Sequence, residues 1–389
     1  MTRPPLQATA TGFLAGLVGF SSSFAILLQG FTAVGASQAE AASGLMAASI
    51  AMGVGGVYLS LKTRLPISVA WSTPGAALLV TTPALPGGFP EAVGAFVLTG
   101  LMIVLTGYWA RLCKLVGSIP PAIANAMLAG VLLGLCLAPM RAIGQAPVLG
   151  LAIVAVWGVT GIFSRLLAVP AAVAMAMALI AWTTPMPEIA LAALLPQPVF
   201  VMPYLSISGA IGIALPLYLV TMASQNIPGM AVLHANGYHP APGPLLRATG
   251  ILGTLAAPFG SHAVNLAAIT AALCAGPEAH ADPARRYWAA AASGIAYIAF
   301  GLAAGAVTAF IAASPTFLID AVAGLALFGA LGSALGTALS KAEHREEAVV
   351  TFIATASGLS VFGIGGAFWG LIAGGAMLGL KRLRPGGAR

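Results

Sequence analysis

The stretch GILGTLAAPFGSHAVNLAAITAAL, from Gly250 to Leu273, places a histidine and an asparagine inside an otherwise apolar segment. His262 follows Pro258 and Gly260, two residue types that interrupt helices. An imidazole has an ordinary pKa of about 6.5, so it can exchange a proton near neutral pH and, once charged, pair with a carboxylate. Because ionisable groups inside a membrane are costly and usually functional, His262 is predicted to carry a proton. The alternative is a neutral histidine that hydrogen-bonds the interrupted backbone.

A second titratable group and two amides lie in other apolar stretches. Asp320 is the one acid well inside a predicted span, where its burial costs about 2.5–3.5 kcal/mol. It is predicted either to titrate or to hold an inter-domain arrangement in neutral form, whereas Asn125, at the corresponding place in the first half, is expected to be structural. Gln225 and Asn226 precede Ile227–Pro228–Gly229, which is expected to unwind the helix locally. Their amides could hydrogen-bond a carboxylate, or could join neighbouring helices.

The composition determines the elements that position these groups. The chain has 389 residues, of which 59% are hydrophobic and only 6% charged, against roughly 25% charged in soluble domains. It is therefore expected to be an integral membrane protein. The net charge of +7 does not indicate nucleic-acid binding, because the basic residues lie singly or in pairs between apolar stretches. The three cysteines are expected to be packing residues without disulfides: Cys113, Cys136 and Cys274.

Division of the chain at charges, prolines and polar clusters predicts fourteen membrane spans, given that about 20 apolar residues cross a bilayer. Their approximate bounds are 12–34, 40–61, 67–82, 91–110, 119–138, 146–163, 166–183, 207–233, 244–257, 259–275, 286–312, 316–339, 346–362 and 364–380. With both termini in the cytoplasm, every Lys and Arg except Arg141 falls on the cytoplasmic side. The amino-terminal segment loosely resembles a signal peptide, but it is expected to remain because the internal repeat includes it.

Two halves of the chain resemble each other at a separation of about 195 residues. PPAIANAMLAGVLLG (120–134) corresponds to SPTFLIDAVAGLALFG (314–329), and FAILLQG (24–30) corresponds to LVTMASQNIPG (219–229). The predicted halves are 1–195 and 196–389. Because each half has seven spans, an odd number, the second half must cross the membrane inverted. Inverted repeats are typical of secondary transporters.

A third pair of corresponding segments explains why proline and glycine interrupt the apolar stretch that begins at Gly250. We expect Ala256–Gly260 to be extended and Ser261 to begin a half-helix, matched by extended Pro66–Trp71 and a half-helix at Ser72, Thr73 and Pro74. Two helix amino termini that converge at the bilayer centre present partial positive charge. Such a pair would suit an anion, particularly a carboxylate.

The segments TMASQNIPGMAVLHANGY (221–238) and APFGSHAVNLAAITAAL (257–273) resemble the signature stretches of the benzoate:proton symporter family (BenE). The resemblance covers essentially the whole chain. It implies proton-coupled uptake of benzoate or a similar aromatic carboxylate. It also implies the seven-plus-seven inverted-repeat fold shared with nucleobase and ascorbate transporters, with a core domain (spans 1–4 and 8–11) and a gate domain (spans 5–7 and 12–14).

In that fold spans 1, 3, 8 and 10 line the substrate site. By resemblance the substrate-binding residues are Gln29, Ser72, Thr73, Gln225, Asn226, Ser261, His262 and Asn265, and the proton-coupling residues are His262 and Asp320. Simple helix capping also accounts for the serines and the threonine. Nucleobase carriers have acids in spans 8 and 10, where this chain has Gln225 and His262. This difference favours an anionic substrate over a uracil-like one.

Several competing interpretations remain. A passive uniporter or channel for another organic anion or a nucleobase-like solute would use the same scaffold. An enzyme is not expected, since no Ser–His–acid set, phosphate-binding loop or metal motif appears. Phe24, Phe31, Trp71 and Phe259 could stack on an aromatic ring or could be core residues.

The remaining expectations concern the surroundings of the protein. His234 and His239 are expected to be loop residues rather than metal ligands, and Glu40 is expected to lie at a span end near water. The predicted partners are an aromatic carboxylate, protons and lipid, without nucleic acid, metal or another cofactor, in a bacterial inner membrane. A homodimer is compatible with the sequence.

Overall fold

The computed structural model describes residues 4–83, 85–109, 120–184, 196–361 and 364–382, and this part of the chain is mostly helical. The helices are α1 (Leu6–Ser21), α2 (Phe24–Ala33), α3 (Gln38–Thr63), α4 (Thr73–Val80), α5 (Gly88–Tyr108), α6 (Pro121–Cys136), α7 (Ala138–Gln145), α8 (Pro147–Phe163), α9 (Ala168–Thr183), α10 (Ile207–Ala235), α11 (Pro242–Ala256), α12 (Ile269–Ala275), α13 (Tyr287–Leu302), α14 (Ala304–Ala313), α15 (Thr316–Leu339), α16 (Arg345–Ala356) and α17 (Gly366–Arg382). The strands are β1 (Val69–Trp71), β2 (Val264–Leu266), β3 (Ser360–Val361) and β4 (Ile364–Gly365).

Long apolar helices confirm the membrane-protein class. Within the described ranges, six helices are long and apolar enough to cross a membrane, counting α1 with α2 and α6 with α7 as one helix each. A seventh is added if α13 with its preceding turn and α14, which bend by 56°, form one span. The apolar helices α8, α9 and α17 are shorter. A total of fourteen requires these shorter helices and the broken segments to cross as well, and it stays a prediction.

The helices pack mainly within two groups. In the first, α3 lies along α13 and α5 lies along α11, with α1 also against α13 and with α2 and α14 against α3. In the second, α6 packs against α15 and α16, α16 against α17, and α8 against α9. Glycines allow the closest crossings. A Cβ on Gly53 would lie 2.5 Å from the carbonyl oxygen of Gly294, and one on Gly250 would lie 2.9 Å from that of Gly100. Small residues at such crossings let helix backbones approach in a membrane, where packing drives association.

Two extended segments meet inside the first group. β1 pairs antiparallel with β2 in the register Val69↔Leu266, Ala70↔Asn265 and Trp71↔Val264. The backbone amide of Ser72 donates to the Ala263 carbonyl at 3.3 Å, which extends the ladder by one bond. Backbone groups in hydrocarbon need internal partners, and this short ladder provides them where both segments leave the helical conformation.

The structure supports the predicted break in the first half and corrects the one in the second half. Extended β1 precedes α4, which begins at Thr73 with Pro74 in its first turn. In the second half, however, Ala256–Gly260 is not extended. The helix α11 continues to Ala256 and is followed by a 3₁₀ turn, Ala257–Phe259. The prediction that Ser261 begins the half-helix is therefore wrong, since α12 begins at Ile269 and the extended residues are those of β2.

The sequence misplaced the start of this half-helix because proline and glycine occur at both the beginnings and the ends of helices. Pro258 lies in the first turn of the 3₁₀ helix, where a missing amide hydrogen is tolerated. Gly260 has φ +90°, the conformation that ends many helices, and a Cβ there would lie 3.1 Å from the Glu40 carbonyl oxygen. Asn265 accordingly lies in a strand rather than in the half-helix expected from Ser261.

The predicted unwinding of α10 at Ile227–Pro228–Gly229 is also wrong. The helix continues to Ala235, but it widens into π turns at Ala210–Ala214 and Met222–Asn226. A proline removes the hydrogen bond to the residue four positions earlier. The π turn immediately before Pro228 accommodates this loss without a break, and such bulges often occur at functional sites.

Candidate functional site

A small polar cavity lies where the broken segments meet. Its volume is about 50 Å³, and it is bordered by the interruption between α1 and α2, by β1 and the start of α4, by α10, and by the start of α12. The side chains with polar atoms that line it are Ser22, Ser23, Trp71, Thr73, Gln225, Thr270 and Tyr297. No acidic or basic residue is among the described residues that line it. The cavity has room for a carboxylate group or a few water molecules.

The helix α4 directs its amino terminus towards this cavity. Ser72 caps the helix, because its hydroxyl oxygen accepts from the Gly75 amide at 3.0 Å. Thr73, which lines the cavity, is the first helical residue. Unpaired amides of a first turn attract negative charge. Of the eight predicted substrate-binding residues, Thr73 and Gln225 are the two that line the cavity.

Sequence reasoning missed Ser22, Ser23, Thr270 and Tyr297. The run Ser21–Ser23 is a signal that could have been found, since three consecutive serines interrupt an apolar span. Thr270 was missed because the start of α12 was placed eight residues too early. Tyr297 gave no local signal, as it lies in a long apolar helix and reaches the cavity only through packing.

Aromatic rings gather beside the interruption of the first span. The indole Nε1 of Trp71 donates to the Ser23 hydroxyl oxygen at 2.8 Å. The rings of Phe20 and Phe24 are stacked with centroids 5.4 Å apart, and Phe20 lies 5.6 Å from Trp71. Trp71 in turn lies 6.4 Å from Tyr297. Two of the four aromatic residues considered from the sequence, Phe24 and Trp71, therefore lie in one cluster at the cavity.

His262 connects the two broken segments but does not line the cavity. Its side chain is buried, and Nε2 lies 2.9 Å from the Ser72 carbonyl oxygen. Since a carbonyl only accepts, Nε2 carries the hydrogen. Within the described part of the chain, Nδ1 has no hydrogen-bond partner. The rings of Phe31 and Phe96 lie edge-on at centroid distances of 5.8 and 6.4 Å. In this conformation His262 hydrogen-bonds the interrupted backbone.

Ser261 and the two asparagines are likewise engaged by their neighbours. The Ser261 hydroxyl donates to the His262 carbonyl at 3.2 Å. The Asn226 side-chain oxygen accepts from the Leu266 amide at 3.0 Å, which ties α10 to β2. The Asn265 amide, oriented so that both polar atoms have partners, donates to the Leu266 carbonyl at 2.9 Å and accepts from the Ser72 amide at 3.0 Å. Together these bonds stabilise the place where the two extended segments, β1 and β2, pair. This place is called the crossing of the two extended segments.

Gln29 and Asp320 form a separate contact between the two helix groups. Gln29 on α2 donates through Nε2 to Oδ1 of Asp320 on α15 at 2.9 Å. Both side chains are partly buried. No ion pair to Asp320 occurs among the described residues. Asn125 instead donates to the Pro121 carbonyl within its own helix at 2.9 Å.

Two further acids are buried, but each has local partners. Glu91, near the start of α5, accepts from the hydroxyls of Ser206 and Ser208 and, at 2.7 Å, from the Gly87 amide. Glu347, near the start of α16, lies 3.2 Å from Nζ of Lys381. Asp320 differs from both because it lies five residues into its helix and has one neutral partner from the other helix group.

The other residues considered from the sequence lie away from the cavity. Glu40 forms a capping box with Ser37 at the start of α3. His234 and His239 have ring centroids 5.1 Å apart at the carboxyl end of α10. Phe259 packs against Phe200 with centroids 5.9 Å apart. Cys136 and Cys274 are buried and free, and Cys113 lies outside the described residues.

Comparison with known proteins finds sequence relatives that match nearly the whole length of this chain. Residues 3–380 match the family model BenE, described as benzoate membrane transport protein. The chain is 42% identical over 373 residues to "Inner membrane protein YdcO" of Escherichia coli (strain K12), covering 95% of each chain. It is 34% identical over 374 residues to "Benzoate membrane transport protein" of Acinetobacter baylyi, covering 95% of this chain and 93% of that one.

Solved structures share the fold at low identity. The transmembrane domain of the cyanobacterial bicarbonate transporter BicA matches with a TM-score of 0.63 and 15% identity, covering 95% of this chain and 97% of that one. The murine Slc26a9 anion transporter in its inward-facing state matches with a TM-score of 0.63 and 12% identity, covering 98% of this chain and 69% of that one.

Proposed function

Because this chain belongs to the BenE family of benzoate membrane transport proteins, we propose that it is a secondary transporter that imports benzoate or a similar aromatic carboxylate together with protons. Membership of a membrane transport family also means that the chain is not an enzyme. We place it in a bacterial inner membrane, as the name of the Escherichia coli relative suggests. Both termini are proposed to be cytoplasmic, following the distribution of Lys and Arg.

The observation that best supports an anionic substrate is the chemistry of the polar cavity. The backbone amide and hydroxyl of Thr73 at the start of α4 and the side-chain amide of Gln225 offer hydrogen-bond donors there. The hydroxyls of Ser22 and Ser23 donate to the Gly19 carbonyl at 3.1 Å. A carboxylate can accept several such bonds, and charge-assisted bonds are about twice as strong as neutral ones. No described lining residue carries a negative charge that would repel the substrate.

The pairing of helices supports the proposed fourteen spans in two inverted halves. Under the repeat, α3 corresponds to α11 and α13 corresponds to α5. The packing of α3 on α13 and of α5 on α11 is therefore the same contact made twice. The pairs α6 with α15 and β1 with β2 each join corresponding elements. The two helix groups are proposed to be the core domain and the gate domain.

Asp320 and His262 are the proposed proton-coupling residues, and the geometry favours Asp320. Its carboxylate meets Gln29 between the two helix groups, so a proton there can change how the groups hold each other. A proton on Nδ1 of His262 finds no acceptor among the described residues in this conformation. His262 can take part in coupling only when the crossing of the two extended segments rearranges.

Purified protein in lipid vesicles tests this proposal. The initial rate of labelled benzoate uptake should rise with an inward proton gradient and fall when a protonophore collapses it. Protein-free vesicles correct for diffusion of the neutral acid. Equal protein-dependent rates with and without the gradient would favour passive uniport on the same scaffold. Preferential competition by uracil over aromatic acids would favour a nucleobase-like substrate instead.

A further inference from the structure

A second, apolar cavity lies between the two helix groups. Its volume is about 240 Å³, and it is lined by α2 and α14 of one group and by α9 and α15 of the other. The lining side chains, which include Phe24, Ala176, Ile180, Phe310 and Val322, are all hydrocarbon or thioether. The cavity therefore offers no hydrogen bond to a carboxylate or to water, and a polar group placed there would lose its hydration without compensation.

The size of this cavity suits a single aromatic ring. An engineered cavity of about 150 Å³ lined by similar side chains binds benzene. The apolar cavity is larger than that and can hold a benzene ring with a small substituent. The polar cavity, at about 50 Å³, cannot hold the ring of an aromatic acid together with its carboxylate. An aromatic acid bound in this conformation must place its ring outside the polar cavity.

Consecutive residues at the interruption of the first span line the two cavities. Ser23 lines the polar cavity and the next residue, Phe24, lines the apolar one, so their Cα atoms are about 3.8 Å apart. The rings of Phe24, Phe20 and Trp71 contact one another in sequence, and Trp71 lines the polar cavity. A row of aromatic side chains in contact with one another therefore lies between the two cavities.

We propose that the apolar cavity receives the aromatic ring of the transported acid while the carboxylate occupies the polar cavity. This inference rests on the proposed function. The ring would contact α9 and α15 of one helix group as well as α2 and α14 of the other. Selectivity for the size of the ring is then determined by Ala176, Ile180, Phe310 and Val322, which lie away from the hydrogen-bonding groups.

Variants that fill or enlarge the cavity test this proposal in lipid vesicles. Ala176→Phe fills it, and should raise the benzoate concentration for half-maximal uptake roughly 10- to 100-fold, the equivalent of excluding one ring from an apolar pocket. Phe310→Ala enlarges it, and should raise the uptake of 4-tert-butylbenzoate relative to benzoate about tenfold. The matched control is Ala178→Phe, the same change at an exposed position on the same helix, which should leave both values unchanged.

The readout is the ratio of 4-tert-butylbenzoate uptake to benzoate uptake. A purely structural defect, or a lipid chain in the cavity, would not change this ratio. An unchanged ratio in Phe310→Ala, with overall rates raised or lowered, would overturn the ring site and indicate a structural or lipid-filled cavity. If Ala176→Phe fails to insert, Phe310→Ala decides alone. If the wild-type protein imports no aromatic acid, the proposed function fails with it, and this result is recognisable because no ratio can then be measured.

Discussion

Replacement of Asp320 by asparagine separates the proton from the hydrogen bond at the contact between the helix groups. The Gln29 amide donates to Oδ1 of Asp320 at 2.9 Å, and the oxygen of an asparagine can accept the same bond. The charge-assisted bond, worth about 1.5–3 kcal/mol, becomes a neutral one worth about 0.5–1.5 kcal/mol. The contact therefore weakens by about 1 kcal/mol but persists, whereas the titratable group is lost.

The expected consequence is a loss of proton dependence rather than of binding. If transport requires a proton on Asp320 that is far from saturating, the wild-type rate changes by up to about tenfold for each unit of external pH, because the proton concentration changes by that factor. In Asp320→Asn the rate should be almost independent of pH. Exchange of external labelled benzoate for internal unlabelled benzoate involves no net proton movement, and it should persist.

The assay compares net uptake with exchange in the same vesicles, each corrected by protein-free vesicles. Gln29→Leu removes the hydrogen bond and keeps the acid, so its pH dependence should remain even if its rate falls. Asn125→Ala alters the corresponding position of the first half, where the amide bonds only to its own helix, and should behave as wild type. A wild-type pH dependence in Asp320→Asn would refute the reasoning and leave the acid an architectural role.

The other predictions concern the polar cavity, the crossing of the two extended segments and the packing of the helices. His262→Ala should abolish proton-driven uptake and lower the melting temperature of the inserted protein, since the bond to the Ser72 carbonyl is lost and the ring leaves a void; wild-type uptake would remove His262 from the mechanism. Gln225→Leu should raise the benzoate concentration for half-maximal uptake about tenfold, as one hydrogen bond to the carboxylate is lost, and an unchanged value would exclude that contact. Gly294→Val should prevent stable folding, because a Cβ there meets the α3 backbone at 2.6 Å, whereas Gly336→Val, with no atom within 4 Å, should not; size-exclusion profiles in detergent compare the two.

The sequence alone determined the class of protein and one of its two breaks. A charged fraction of 6% requires lipid as the solvent. The break at Ser72–Pro74 was predictable because a capping serine followed by a proline in the first turn is a local signal. The motifs around 221–238 and 257–273 also indicated the family, which the comparisons confirm. Each of these inferences depends on composition or on residues close together in the chain.

The second break shows where local signals are insufficient. Pro258 and Gly260 could end one helix or begin another. In the structure they follow the end of α11, and Gly260 lies against the backbone of α3. Val264–Leu266 is extended because β1 lies beside it and supplies its hydrogen bonds. No residue near position 264 in the chain carries that information.

Tertiary structure also decided which polar side chains share a cavity. The sequence placed eight residues at the site, but Asn226, Asn265 and His262 bond to the crossing backbone and Gln29 bonds to Asp320. Ser22, Ser23 and Thr270 join Thr73 and Gln225 at the cavity instead. These groups come from segments up to about 250 residues apart. Interrupted backbone in a membrane bonds to whichever donors and acceptors packing brings near, so the direction of each side chain follows from the assembled fold rather than from its own segment.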